Sequence, residues 1–225
     1  MKLLAVDSSS RAASVAIVHD GAVLGEFFVN SKLTHSETLM KMVEDLFSVT
    51  KTDIRDVTAV AVTTGPGSFT GLRIGIAAVK GLAFASDKMC IPVSSLEAVG
   101  YNFIGEEKTV AVCFDARLSQ VYNAIFKVSG DRVERLTEDR PIKVADLVRE
   151  LETYENVILA GDGAAIVAAQ FHGFNVAPEQ RLYQRASSVA FAAAKKLKDG
   201  VSAESLVPQY LRLPQAERLR KENKE

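Results

Sequence analysis

Residues 3–29 read "LLAVDSSSRAASVAIVHDGAVLGEFFV", and residues 109–128 read "TVAVCFDARLSQVYNAIFKV". Each opens on a short apolar strand that runs into an aspartate, Asp7 or Asp115, and continues into a second strand. Setting Asp115 under Asp7 without gaps brings Ala124-Ile125 under Ala16-Ile17. In the first half, Asp20-Gly21 is a hairpin dipeptide, since both turn positions need positive φ. A helix follows, with the Thr34/Glu37 capping-box spacing and Leu39, Met42, Val43, Leu46 and Phe47 at helical intervals. Then come the strand "DVTAVAVT" (56–63), a glycine-rich loop, the helix "LRIGIAAVKGLAFA" (72–85) and the strand "CIPVS" (90–94). The second half repeats the order. A third strand follows the turn at Ser129-Gly130-Asp131, then the helix "KVADLVRELE", the strand "NVILAGDGA" and the helix "AIVAAQFH". The expectation is an α/β chain of two related lobes, β-β-β-α-β-α in each, with mixed sheets. The lobes are read as residues 1–103 and 104–215, and 216–225 ("AERLRKENKE") as a charged tail without a core stripe.

The chain has 225 residues, 48% of them apolar, and a net charge of -1. That length supports two cores, and that charge provides no general attraction to nucleic acid or an anionic membrane. Cys90 and Cys113 lack a C-x-x-C or zinc spacing, so two free thiols in a reducing compartment are expected. The start "MKLLAVDSSS" is too short in its apolar run for a signal peptide, and Lys80 interrupts the longest apolar stretch. The reading is cytoplasmic, with no membrane contact.

The glycines concentrate in "TTGPGSFTGLRIG", residues 63–75. A Walker A loop needs Lys then Ser or Thr after its last glycine; Leu72-Arg73 follows Gly71 here. The spacing from Gly65 is one residue too long for a dinucleotide fingerprint, and the first unit is a hairpin instead of βαβ. Two readings stay level on the residues alone. The loop's free N–H groups, with Ser68 and Thr70 as caps, face an anion at a helix N-terminus. Alternatively the glycines only permit a turn and close packing.

The duplicated pattern resembles the actin, Hsp70 and sugar-kinase fold, in which two ribonuclease-H-like lobes clamp a nucleotide between Asp- and Gly-bearing loops. Within that fold, "GPGSFTGLRIG" closely resembles the signature of the bacterial TsaB family, also called YeaZ. "DSS", "HSETLM", "VSSLEAV", "DARLSQVY" and "PQYLRLP" agree along nearly the whole chain. The resemblance implies a non-catalytic organising subunit of the machinery that places a threonylcarbamoyl group on the adenosine beside the tRNA anticodon. The implied partners are TsaD, a catalytic paralogue, and TsaE, a P-loop ATPase; TsaC makes the donor, and tRNA is touched only indirectly or weakly. TsaD holds a metal through two histidines one turn apart, in a Val-Asn-His-Met-Glu-x-His stretch. Here Ser95 and Val99 stand where those histidines would be, and neither replaces an imidazole. No metal or catalytic residue is therefore expected, and ATP or ADP only at a composite site with partners.

Other candidates are few. His19 precedes a turn, His172 ends a helix, and His35 opens the first helix without a His four residues later; it reads as an interface contact or as a solvated first-turn residue. Asp7, Ser8, Gly65, Gly67, Ser68, Asp115, Gly161 and Gly163 form the candidate composite nucleotide or anion site. Turn formation is the competing role for Asp7, the serines and Gly161-Asp162-Gly163, and an ion pair with Arg117 for Asp115. The second helix is apolar over most of its girth, with Leu72, Ile76, Val79 and Ala83 suited to its sheet and Gly71, Gly75, Ala78, Leu82 and Ala85 on another face. The first helix is apolar over roughly 160°. A helix covered twice implies a partner. The expected interface is His35, Leu39, Met40, Val43, Phe47, Gly71, Gly75, Ala78 and Leu82, taken by TsaD or, when the chain is alone, by a second copy. The competing function is a nucleotide-hydrolysing or phosphotransferring enzyme of the actin-like fold that uses Asp7 and the glycine loops; a peptidase ranks behind it.

Overall fold

The computed structural model describes residues 1–31, 33–170 and 173–212. His172, the 216–225 tail and the end of "PQYLRLP" lie outside them. The first half comprises β1 (Lys2–Asp7), β2 (Ala13–His19), β3 (Ala22–Val29), α1 (His35–Thr50), β4 (Ala59–Gly65), α2 (Phe69–Ser86), β5 (Met89–Ser94) and α3 (Ser95–Gly100). The second comprises β6 (Glu106–Asp115), β7 (Gln120–Gly130), β8 (Arg132–Arg135), β9 (Arg140–Lys143), α4 (Val144–Leu151), β10 (Val157–Ala160), α5 (Ala164–Ala168), β11 (Asn175–Val176), α6 (Glu179–Leu182) and α7 (Ala186–Ala194). The sheets run β3-β2-β1-β4-β5 and β8-β7-β6-β10-β11, with β9 also pairing β7. The order is the same in both lobes. The third strand of the second lobe is split, because β8 and β9 take different stretches of β7.

β1, β2 and β4 read as near-continuous apolar runs because both sheet faces are covered. α1 and α2 lie on one face, with Leu39, Leu46, Ile76 and Val79 packed on Leu4, Val6, Ile17 and Val62. The other face is covered from the far half of the chain: Val189, Ala190 and Ala193 of α7 pack on Leu3, Ala5 and Ala61. In exchange, Leu96 and Val99 of α3 pack on Val110, Val112 and Phe126 of the second sheet. The change of sheet falls between β5 and β6, and α3 and α7 cross it in opposite directions. α2 has the length and composition of a membrane span, with mean hydropathy 1.2. Here its Leu72, Ile76, Val79 and Ala83 are buried on the sheet.

The ungapped match of the two halves needs correction. Ala16 and Ala124 both face the exchanged helices, and Ile17 and Ile125 both face the lobe's own helices. The first strands do not keep step. Leu4 and Val6 face α1 and α2, whereas Val112 and Phe114, set under them, face α3. A one-residue slip reverses the face of every strand residue. Asp7 and Asp115 are therefore not equivalent positions. Asp7 shares a face with Leu3 and Ala5 and is fully buried; Asp115 shares one with Ala111 and Cys113 and reaches solvent.

Candidate functional site

The glycines of residues 65–75 are filled by this chain itself. A Cβ on Gly67 would meet the Ser9 carbonyl, on Gly71 the Ser8 carbonyl and on Gly75 the Ser8 hydroxyl. Gly65, at φ +133°, lies against the Gln209 carbonyl. The β1–β2 turn thus wedges against the start of α2, and only bare backbone admits it. Ser8 Oγ donates to the Gly71 carbonyl at 2.8 Å, and the Ser68 N–H to the Ser9 carbonyl at 2.7 Å. Close packing, the less specific of the two readings, accounts for these glycines. Gly71 and Gly75 therefore do not face a partner helix, and Leu39 and Val43 are core residues at 1% and 2% exposure.

The same turn accounts for Asp7. Its Oδ1 accepts from the Ser9 N–H at 3.0 Å and from Ser9 Oγ at 3.1 Å. Burial pushes its carboxyl up from 3.8 to about 6, against the opposing pull of these hydrogen bonds and of neighbouring Thr63 and His35. Thr63 Oγ1 nevertheless closes no hydrogen bond of ordinary geometry. His35 is half-buried, and its Nε2 donates to the Ser10 carbonyl at 2.8 Å. It is a structural clasp, not the solvated residue that its place at the helix start indicates.

Between the lobes lies a cleft of about 420 Å³, walled by Ser9, Ser10, Arg11, Ser68, Asp115, Arg117 and Asp162 and closed on one side by residues 209–212. Of the positions expected to make a nucleotide site, Gly67, Ser68 and Asp115 reach it; Asp7, Ser8, Gly65, Gly161 and Gly163 do not. Gly161 and Gly163 instead press on the Cys113 carbonyl. Asp115 Oδ1 accepts from the Arg117 N–H at 2.7 Å, and its other oxygen lies 3.8 Å from Arg117 Nε, so it forms both the turn and a loose ion pair. Asp162 accepts from the Asp115 N–H at 3.1 Å; burial, then the Asp115 charge, raises its carboxyl above the ordinary range. Of the eight expected nucleotide-site positions, five therefore lie away from the cleft. The carboxylate best placed by sequence is sealed in, and both glycine loops are occupied by backbone. Among the described residues, no three His, Cys, Asp or Glu side chains gather as metal ligands.

Sequence reasoning missed the segment at 201–212. Val201 pairs with Cys90 at the edge of β5. Lys80 Nζ donates to the Glu204 and Leu206 carbonyls, both at 3.1 Å, so the polar side of α2 is spent internally. The Gln209 N–H reaches the Thr64 carbonyl at 2.7 Å. Tyr210 stacks on Phe69 at 4.9 Å and accepts from Arg73 Nε at 2.9 Å; Arg212 donates to the Ala116 carbonyl across the cleft at 2.9 Å. The motif "PQYLRLP" marked the end of this segment as part of the family pattern, but nothing in it told which lobe the segment packs on.

The second surface lies on α1 and α2. Met40, Ala78, Gly81, Leu82 and Ala85 line an apolar groove of about 340 Å³. Ala77, Gly81 and Ala85, spaced four apart, are exposed, and a Cβ on Gly81 would meet nothing. Phe84 stands 84% exposed beside them. Of the residues expected at an interface, Met40 is exposed, and Phe47, Ala78 and Leu82 are half-buried. The open small-residue stripe is thus one face round the helix from the expected one.

The family model described as "TsaD: tRNA N6-adenosine threonylcarbamoyltransferase" matches residues 23–219. The tRNA threonylcarbamoyladenosine biosynthesis protein TsaB of Bacillus subtilis is 30% identical over 224 residues, 96% of each chain. The Escherichia coli protein of the same name is 32% identical over 153 residues, 67% of this chain and 65% of that one. The solved structure of YeaZ from Pseudomonas aeruginosa superposes with a TM-score of 0.79 at 28% identity, covering 93% of this chain and 99% of that one. Component A of the (R)-2-hydroxyglutaryl-CoA dehydratase of Acidaminococcus fermentans shares only the fold, with a TM-score of 0.51 at 9% identity over 88% of this chain and 99% of that one. With a full-length relative at this identity and the duplicated actin-like lobes in place, the chain belongs to the TsaB (YeaZ) family.

Proposed function

We propose that this chain is the non-catalytic organising subunit of a tRNA threonylcarbamoyltransferase complex, acting in threonylcarbamoyladenosine biosynthesis as its TsaB relatives are named to do. One observation carries the non-catalytic part. Ser95 and Val99, where the catalytic paralogue's histidines would stand, are both 0% exposed, within the α3 layer that covers the second sheet. Both side chains are turned into the interior, so neither position presents a ligand to solvent. The rival enzymatic reading relies on Asp7, which has no exposed surface and spends its oxygens on the turn.

The partner in this proposal is a TsaD-like paralogue, seated on Met40, Ala78, Gly81, Leu82 and Phe84; the lone chain pairs through the same patch with a second copy. A TsaE-like ATPase completes the assembly, tRNA is contacted only indirectly or weakly, and the setting is cytoplasmic. A nucleotide at the interlobe cleft requires groups from those partners. The test is the double variant Met40→Glu with Gly81→Leu. It should unfold as cooperatively as the parent but fail to coelute with the paralogue in size-exclusion chromatography. Undiminished coelution places the interface elsewhere. Substitution of Gly75 is unsuitable, because it would strike Ser8 inside the fold.

A further inference from the structure

Among the described residues the chain crosses between lobes twice, and the two crossings are tied together. On the outward one, Asn102 Nδ2 donates to the Arg181 carbonyl at 3.0 Å and to the Tyr183 carbonyl at 2.8 Å. Its Oδ1 accepts from Ser188 Oγ at 2.7 Å. Gln184 sits on the return crossing, between α6, whose Leu182 packs with the second lobe, and α7, which packs on the first. It is 1% exposed. Its Oε1 accepts from Ser10 Oγ at 2.8 Å, and its Nε2 donates to Ser9 Oγ at 2.9 Å. An amide is the side chain that answers both hydroxyls at once, one as acceptor and one as donor.

Those two serines also hold the starts of both candidate partner helices. The Ser9 carbonyl takes the N–H of Ser68, the cap of α2, and the Ser10 carbonyl takes Nε2 of His35, the first residue of α1. Ser9 Oγ is further fixed by Asp7. We infer that Gln184 is a positioning residue for the α1–α2 pair, acting across the lobe boundary through the Ser9–Ser10 turn. The inference rests on the α1–α2 face being the partner surface. Two helices presented at a fixed angle bind with less ordering on association, and the angle here is set from the opposite lobe. The route is a short chain of buried hydrogen bonds, each sensitive to loss of its neighbour.

The experiment compares Gln184→Met, which removes both hydrogen bonds at similar volume, and Ser10→Ala with the parent and with Met40→Glu. Affinity for the TsaD-like paralogue is measured by calorimetry well below the unfolding temperature, with amide hydrogen exchange on the free chain. Gln184→Met should weaken the paralogue about 5-fold or more and speed exchange in residues 35–39 and 69–73, while the far ends of both helices keep the parent's rates. Ser10→Ala should have a smaller effect that does not add to that of Gln184→Met. It also stands in as the test if Gln184→Met does not fold. Lowered thermal stability with affinity within 1.5-fold of the parent would make Gln184 a structural residue only and overturn the inference. Unchanged affinity in Met40→Glu would sink the interface reading, and this inference with it.

Discussion

Asp7→Asn should make the protein more stable at neutral pH. The carboxyl has no exposed surface, and burial raises it from 3.8 to about 6. The folded state therefore binds its proton more tightly than the unfolded chain does. Below pH 3.8 both states are protonated and the group contributes nothing. As pH rises from about 4 to about 6 the unfolded chain ionises first, and stability falls; above 6 the penalty is complete. At 1.36 kcal/mol per tenfold change in proton affinity, the penalty is about 3 kcal/mol. An amide keeps the oxygen that accepts from Ser9, and its new N–H faces a hydroxyl without a partner, Thr63 Oγ1. The expected outcome is a gain approaching 3 kcal/mol at pH 7.5, or roughly 6–12 °C in Tm for a chain of this size. The gain should shrink toward zero at pH 4. Urea unfolding of parent and variant at pH 4, 5, 6 and 7.5 reads this directly, since the difference between the two curves isolates Asp7. A variant less stable than the parent at pH 7.5, or a difference that does not change with pH, refutes the reasoning.

The α2 glycines separate by role. Gly71→Ala drives a Cβ into the Ser8 carbonyl and should cost about 2 kcal/mol or more, whereas Gly81→Ala meets open space and should raise stability by up to about 1 kcal/mol through helix propensity; heat unfolding distinguishes them. Burial holds the Cys113 thiol up at about 12, so the folded protein at pH 8 should leave Cys113 unmodified by a thiol reagent, while urea-unfolded chain reacts there at once. Phe84→Glu should leave Tm within about 1 °C of the parent, because the ring is exposed, yet abolish pairing with the TsaD-like paralogue in size-exclusion chromatography.

Much of the architecture was legible because burial imposes period on sequence. The apolar runs of β1, β2 and β4 announce strands covered on both faces, and the Thr34/Glu37 spacing announces the start of α1, where the Thr34 N–H meets Glu37 Oε2 at 2.8 Å. The Asp20-Gly21 turn has both residues at positive φ. The glycine signature and its accompanying motifs pointed to the family because they span nearly the whole chain, and Ser95 and Val99 showed that two imidazoles were missing.

What the glycines touch was not legible. A glycine in sequence states that something comes close, not what, and Ser8, Ser9 and Gln209 lie far along the chain from the backbone they press on. The exchange of α3 and α7, the clasp of Gln184 on the serine turn and the sealing of Asp7 are likewise contacts between distant segments. Strand, helix and turn preferences are set by neighbours a few residues away, so the sequence by itself determined the repeated β-β-β-α-β-α order and the family, while α3 and α7, short and apolar on nearly every side, carry no amphipathic period and went unread. Which lobe each helix covers, which small residues stay open on α2 and whether an aspartate meets water depend on a one-residue strand register and on packing between remote segments, and these only the tertiary structure decided.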